Sequence, residues 1–317
     1  MKKIQYFLLL AMISIATITN ASVSNQNRGK DTLTALQQSK PYNQKQPKTF
    51  PDFTYQCADD PQLGHLRQKY RLNEVAGKGT DVERITRLLA WLHQQLPHED
   101  GPSAAVLTAE NMIDTYRKTG HSFGCYGLAI SLNEVLLSVG YKSRIVICFS
   151  NQYPAPQGGH VINTVYAASL NKWIYIDPQE NAMIKDEKGN LLSIAEVREH
   201  LVKQQPLFLN STANYHGVPT RKEEYVDKFL GEHLYRMICP VNSACNMETR
   251  NGNAKDIKYV ELLPYGSIEP PSQMVETQFT EKQSVICYHT SNDLLFWQAP
   301  LEVCEAPKTD QMKKHTK

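Results

Sequence analysis

HSFGCYGLAISLNEVLL, residues 121–137, places a cysteine between two glycines at the start of an apolar helical pattern. Leu128, Leu132, Val135, Leu136 and Val139 recur at helical spacing. Gly140 follows where a C-terminal glycine ends a helix. Gly124 and Gly127 are read as keeping bulk away from Cys125. A cysteine at a helix start has two readings. It is a small buried hydrophobe, the commoner case for an unpaired thiol, or a nucleophile whose thiolate is stabilised by unpaired helix N–H groups and the helix dipole.

Upstream, Asp81 is read as the cap of a helix through Ile85, Leu88, Leu89 and Leu92 that ends before Pro97. Ala109 to Lys118 is a further helix. Downstream the period changes from helical to alternating. KSRIVICFS (142–150), HVINTVYA (160–167) and KWIYIDP (172–178) are rich in β-branched and aromatic residues and read as strands. IKDEKGNLL (184–192) reads as a turn between short strands, and Ser193 with Glu196 forms a capping-box signature for a helix through Leu201. After about residue 225, short segments such as YVELLP and SVICYHT alternate with Gly and Pro breaks, so the C-terminal part is expected to be β-rich.

The strands change the weight of Cys125. If residues 160–167 and 172–178 form an antiparallel hairpin turning between Ala168 and Ser169, then His160 directly opposes Asp177, Ile162 opposes Tyr175, and Thr164 opposes Trp173. Opposed side chains on one face lie about 4.5–5.5 Å apart at Cβ, within reach for a carboxylate to orient an imidazole. A slip of one residue would send Asp177 to the other face. Both faces are largely apolar, so the sequence leaves the register open. Taken singly, His160 reads as a turn residue after Gly158-Gly159, and Asp177 as the start of an Asp-Pro turn.

Composition bounds the rest. The chain has 317 residues, and its 41% hydrophobic and 21% charged content suits a soluble globular protein of one large or two modest domains. A net charge of +2 with no basic stripe points away from nucleic acid as a partner. The N-terminus has a Lys2-Lys3 n-region, an apolar run from Tyr6 to Ile18 and a small-residue cleavage site at Thr19-Asn20-Ala21. That pattern is a secretory signal peptide, too short for a membrane anchor, which predicts a secreted or periplasmic protein with no stable membrane insertion after its removal. Residues 22–50, polar and poor in apolar residues, are expected to be a flexible tether. Residues 51–205 form the expected core, and 206–317 a β-rich extension completing or flanking it.

Seven cysteines follow the signal, an odd count that suggests at least one free thiol in an exported protein. Cys239 and Cys245 are near enough in sequence to pair across a loop. No zinc-finger spacing or HExxH occurs, so neither metal nor cofactor is expected.

Three stretches together resemble a known family: GCYGLAISLNEVLLSVGYKSRIVIC (124–148), GGHVINTVYAASLNKWIYIDPQEN (158–181) and GNLLSIAEVREHL (189–201) are similar to the core of transglutaminase-like proteins of the secreted bacterial type. The likeness runs from about Asp81 to Leu201, and more loosely into YVELLP and LLFWQAP. It implies an α+β, papain-like fold with the nucleophile helix on an antiparallel sheet, and a catalytic triad at Cys125, His160 and Asp177. The implied activity is that of a cysteine-dependent hydrolase or acyl transferase acting on amide bonds of peptides, proteins or peptidoglycan-derived material. The competing expectation is a non-catalytic peptide- or glycan-binding module on the same scaffold. Of the neighbouring residues, His121 reads as a solvated loop residue, Tyr126 and Trp91 as packing, Asn163 as structural, and His98 in PHEDG as part of a capped turn.

Overall fold

The computed structural model describes residues 33–101, 106–152, 159–247, 257–267, 274–280 and 283–301. The expected signal peptide, the first part of the expected tether (residues 22–32) and Cys304 lie outside the described residues.

The principal helices are α1 (Pro61–Lys69), α2 (Asp81–Gln95), α3 (Ala109–Thr119), α4 (Cys125–Ser138) and α5 (Ile194–Lys203). The main strands are β1 (Ser143–Phe149), β2 (His160–Ala167), β3 (Lys172–Ile176), β4 (Arg236–Pro240), β5 (Ile257–Leu262), β6 (Met274–Thr280) and β7 (Gln283–Thr290). They form one α+β body. All seven strands belong to one sheet in the order β6-β7-β5-β4-β1-β2-β3. Its pairings are antiparallel except β5 with β7, so the sheet is mixed and not wholly antiparallel as expected. β4 pairs directly with β1, so the C-terminal part completes the sheet of the core.

α4 organises the packing. Every residue from Tyr126 to Ser138 is buried, as an apolar helix enclosed on all sides requires. One side of α4 meets Ile145, Ile147, Val161 and Val165 of the sheet, and the others meet the surrounding helices. Two of its polar side chains tie it to distant backbone and side chains. Asn133 Nδ2 donates to Ser243 Oγ at 2.8 Å, and Glu134 accepts from the backbone N–H groups of Ala109 and Asn246, both at 2.8 Å. Burial pushes the Glu134 carboxyl up to about 7 against these bonds. Gly127 makes room for helix packing, not for the thiol: a Cβ there would stand 2.8 Å from Phe123 Cβ and 3.0 Å from Met112 Sδ.

Four other expectations are corrected. The cap of α2 is Thr80, in a capping box with Glu83. Asp81 is the first helical residue, and its carboxylate accepts from Ser169 N–H at 2.8 Å. The β2–β3 connection is a 3-10 turn over Ala168–Leu170 followed by Asn171 at φ 50, longer than the expected turn. The ladder therefore pairs Ala167 with Lys172, Thr164 with Tyr175 and Asn163 with Ile176, two residues away from the expected register. A slip of two preserves the face, so His160 and Asp177 still share one side but meet diagonally.

Residues 33–50 are docked and not a free tether. Leu36 and Phe50 enter the core, Asn43 N–H donates to Ser291 O at 2.7 Å, and Arg198 reaches Ser39 Oγ at 2.9 Å. A few apolar anchors suffice because the intervening polar residues bond backbone groups of the body. Cys239 and Cys245 are both free thiols, the former inside a strand and fully buried.

On the sheet face away from α4, Arg144 is fully buried with its guanidinium 4.3 Å from the rings of both Phe53 and Trp173. Nη1 donates to Phe296 O at 3.0 Å, so one side chain joins the N-terminal segment, the hairpin and the C-terminal end. Truncation would leave a cavity among aromatics. Arg144→Ala is expected to cost about 3–5 kcal/mol, the range for deleting a large core side chain, read as a lower urea midpoint at unchanged slope.

Candidate active site

Cys125 opens α4, and its N-cap Gly124 supplies no side-chain hydrogen bond to the first turn. The approach to the helix is held by backbone pairing. His98 bridges Phe123, Glu99 N–H donates to Phe123 O at 3.0 Å, and Ser122 Oγ donates to Pro97 O. This pairing sets His98 beside Cys125, and the two side chains hydrogen-bond. His98 is therefore not merely a turn residue.

His160 is the first residue of β2 and is 1% exposed. Gly159 before it lies against β1: a Cβ there would stand 2.5 Å from Cys148 O and from the Phe149 ring. Only glycine lets the strand start so close. His160 Nε2 meets Asp177 Oδ2 at 2.6 Å, which leaves the other side of the ring for the thiol of Cys125. The backbone N–H of Val161 also donates to that sulfur.

Asp177 is wholly buried, and its two carboxylate oxygens meet different partners. Oδ1 accepts Gln179 N–H at 2.7 Å, as in an Asp-Pro turn, while Oδ2 accepts from His160 and from the Tyr225 hydroxyl. Tyr225 and Tyr175 hydroxyls are 2.5 Å apart, and the Phe229 ring packs edge-on against His160 with centroids 4.9 Å apart. Tyr225 and Phe229 escaped the sequence reading. They lie in a π-helical segment, Glu223–Leu230, far along the chain, and the spacing of two aromatics four apart in EEYVDKFL is the one signal that marked them.

These contacts set the charges. Burial alone would raise the Cys125 thiol. Hydrogen bonds with His160 and His98, the charge of His160 and the Val161 N–H outweigh it and hold the thiol down to about 6. Burial would likewise disfavour a charged His160, but the Asp177 carboxylate and the thiol beside it lift the imidazole to about 10. Asp177 stays below its ordinary value because His160, Tyr225 and Gln179 N–H outweigh its burial. The stable form of the group is thus a thiolate–imidazolium pair backed by a carboxylate.

The remaining predicted residues fall outside this contact network. Trp91 packs on Tyr70 with ring centroids 5.7 Å apart, and Tyr126, in the first turn of α4, is buried in the core. Asn163 Nδ2 donates to Ala129 O at 2.9 Å, tying β2 to α4 from the opposite face of the strand. His121 stacks edge-on to Phe123. A cleft of about 330 Å³ adjoins the site, lined by His93, Gln94, His98, Gln179, Asn214 and Tyr215 among others.

Residues 69–178 match the transglutaminase-like superfamily model. The matched segment runs from the end of α1 through Pro178, and so contains Cys125, His98, His160 and Asp177 but neither Tyr225 nor the C-terminal strands. No curated protein matches the chain. Among solved structures, a candidate cysteine protease from Cytophaga hutchinsonii is similar at 14% identity and a TM-score of 0.29, over 53% of this chain and 45% of that one. A candidate protease from Parabacteroides distasonis is similar at 10% identity and a TM-score of 0.27, over 52% of this chain and 30% of that one. The chain thus spans less than half the length of either solved protein.

Away from the matched segment, Glu261, Cys287 and His289 have ligand-type atoms within 4.8 Å of one another. Arg236 already holds Glu261 Oε1 at 2.6 Å and His289 meets Oε2 at 3.2 Å, an arrangement accounted for as an ion-pair network. No helix among the described residues is long and apolar enough to cross a membrane.

Proposed function

We propose that the chain is an exported cysteine-dependent hydrolase or acyl transferase that cleaves amide bonds of peptides or cell-wall material through Cys125, His160 and Asp177. One observation carries this reading: a single buried imidazole bonds both a helix-start thiol and a buried carboxylate. The N-terminal residues are the support for export.

In the proposed reaction the Cys125 thiolate attacks the amide carbon, forming a C–S bond while the carbonyl electron pair moves to oxygen. The Cys125 backbone N–H, free at the helix start, is one donor to that oxyanion. As the tetrahedral adduct collapses, the C–N bond breaks and the imidazolium of His160 gives its proton to the departing amine. Water, or a second amine, then attacks the thioester with neutral His160 as base, and the thiolate returns. Asp177 holds the ring orientation and offsets its charge throughout.

A screen of peptides and muropeptides with the wild type and Cys125→Ala tests the reading. Products formed by the former and absent with the latter are expected. Binding of a library member with no turnover by either protein would instead indicate the peptide- or glycan-binding module. For a cleaved substrate, kcat/KM should follow a bell in pH. The acid limb lies near 6, where the thiolate is protonated, and the alkaline limb near 10, where the imidazolium loses the proton owed to the leaving amine. A rate that climbs steadily through pH 8–9 with no plateau would contradict the ion pair.

A further inference from the structure

Resting on the nucleophile reading above, we propose that His98 is a catalytic residue, the second oxyanion donor, which hands a hydrogen bond from Nε2–H to the carbonyl oxygen as Cys125 attacks.

The geometry leads there in steps. The strand-like pairing of Pro97–Glu99 with Ser122–Phe123 fixes His98 opposite Phe123, two residues before the helix that carries the nucleophile. Its ring is 8% exposed and hydrogen-bonds the sulfur that will carry the acyl group. A thiolate and a carboxylate are acceptors only. Nδ1 faces Tyr215, which leaves the Nε2 side for the Cys125 sulfur, and the Asp100 carboxylate stands 3.6 Å from Nε2; with acceptors on that side we assign the proton to Nε2. Nδ1 is 3.0 Å from the Tyr215 hydroxyl, which donates to it and holds that tautomer. Tyr215 is itself positioned: it sits on the Asn214–Pro219 hairpin, whose Asn214 Oδ1 meets His93 Nε2 at 3.0 Å. His93 Nδ1 in turn meets Pro178 O at 2.9 Å, next to Asp177.

Thus two imidazoles flank one sulfur with different assignments. His160 is backed by a buried carboxylate, which suits it to carry and release a proton. His98 is backed by a neutral hydroxyl, which suits it to keep its proton and donate a hydrogen bond. When sulfur bonds to the carbonyl carbon, the new negative charge appears on an oxygen one bond from that carbon. The Nε2–H that faced the thiolate then follows the charge to the oxyanion, alongside the Cys125 N–H. No proton is transferred by His98.

The test separates stabilising the thiolate from stabilising an oxyanion. Alkylation by iodoacetamide passes through no oxyanion, whereas acylation by p-nitrophenyl acetate does. Both rates at Cys125 are measured by intact mass, with Cys125→Ala correcting for the other thiols, on the plateau where the thiol is fully ionised. In His98→Ala, acylation on the plateau should fall roughly 10- to 100-fold while alkylation falls less than about threefold. His98→Gln, which retains an N–H donor, should recover most of the acylation, and Tyr215→Phe should lose part of it with alkylation kept. Equal changes in both reactions, or none in either, would overturn the proposal. An ordinary Cys125 inflection near about 8.5 in the wild type, with no acylation attributable to Cys125, would be the separate failure of the nucleophile reading.

Discussion

Replacing His160 with alanine should move the inflection of Cys125 alkylation from about 6 into the ordinary thiol range. The sign follows from what is removed. Burial of Cys125 favours the thiol, and the hydrogen bond of His160 is the largest contribution against it, with the His160 charge adding to it. At pH 6 the thiolate fraction then drops roughly 100-fold if the inflection reaches about 8.5. The alkylation rate at that pH falls less, about tenfold, because a more basic thiolate is also more nucleophilic. Turnover of an amide should suffer far more, about 10³-fold or beyond, since the same substitution deletes the proposed acid for the leaving amine. The measurements are a pH–alkylation profile and single-turnover cleavage of whichever substrate the screen returns. An unchanged inflection would mean that the imidazole does not govern the thiol.

Asp177 is expected to show the largest combined effect. Asp177→Ala strips acceptors from a buried imidazolium and the Tyr225 hydroxyl at once, and removing one partner of a buried ion pair costs about 3–5 kcal/mol. Asp177→Asn keeps an oxygen for Nε2–H but not the charge. His160 then falls from about 10 towards its ordinary value, the alkaline limb of the bell moves down with it, and turnover drops about 10²- to 10⁴-fold. Stability supplies an independent check. The folded carboxyl lies below its unfolded value, so its contribution is present above that value and is lost as pH falls through the folded one. Urea midpoints of the wild type should therefore decline more steeply from pH 5 towards pH 3 than those of Asp177→Asn. Parallel declines would indicate that the carboxylate contributes nothing through its charge.

The comparison of sequence with structure turns on distance along the chain. The bounds of β2, the capping box at Ser193–Glu196 and the helix begun by Cys125 were legible because each depends on neighbours within a few residues. The hairpin register was not. One 3-10 turn over Ala168–Leu170 displaced it by two, and that turn packs under a carboxylate from α2, Asp81, that lies 88 positions away. The face shared by His160 and Asp177 survived only because two is the repeat of a strand.

The sequence by itself determined the local grammar of the central stretch: which of its segments between residues 81 and 201 are helix or strand, that Cys125 heads an apolar helix, and that a histidine opens one later strand while an aspartate follows the end of the next. Only the tertiary structure decided what those side chains meet. His98 reaches the sulfur through pairing with Phe123, Tyr225 and Phe229 close over the imidazole from a π-helical turn, and residues 33–50 lie down on the body. Periodicity reports which way a residue points along its own element. The partner waiting there is set by how distant elements pack, and burial then fixes which of them carries charge.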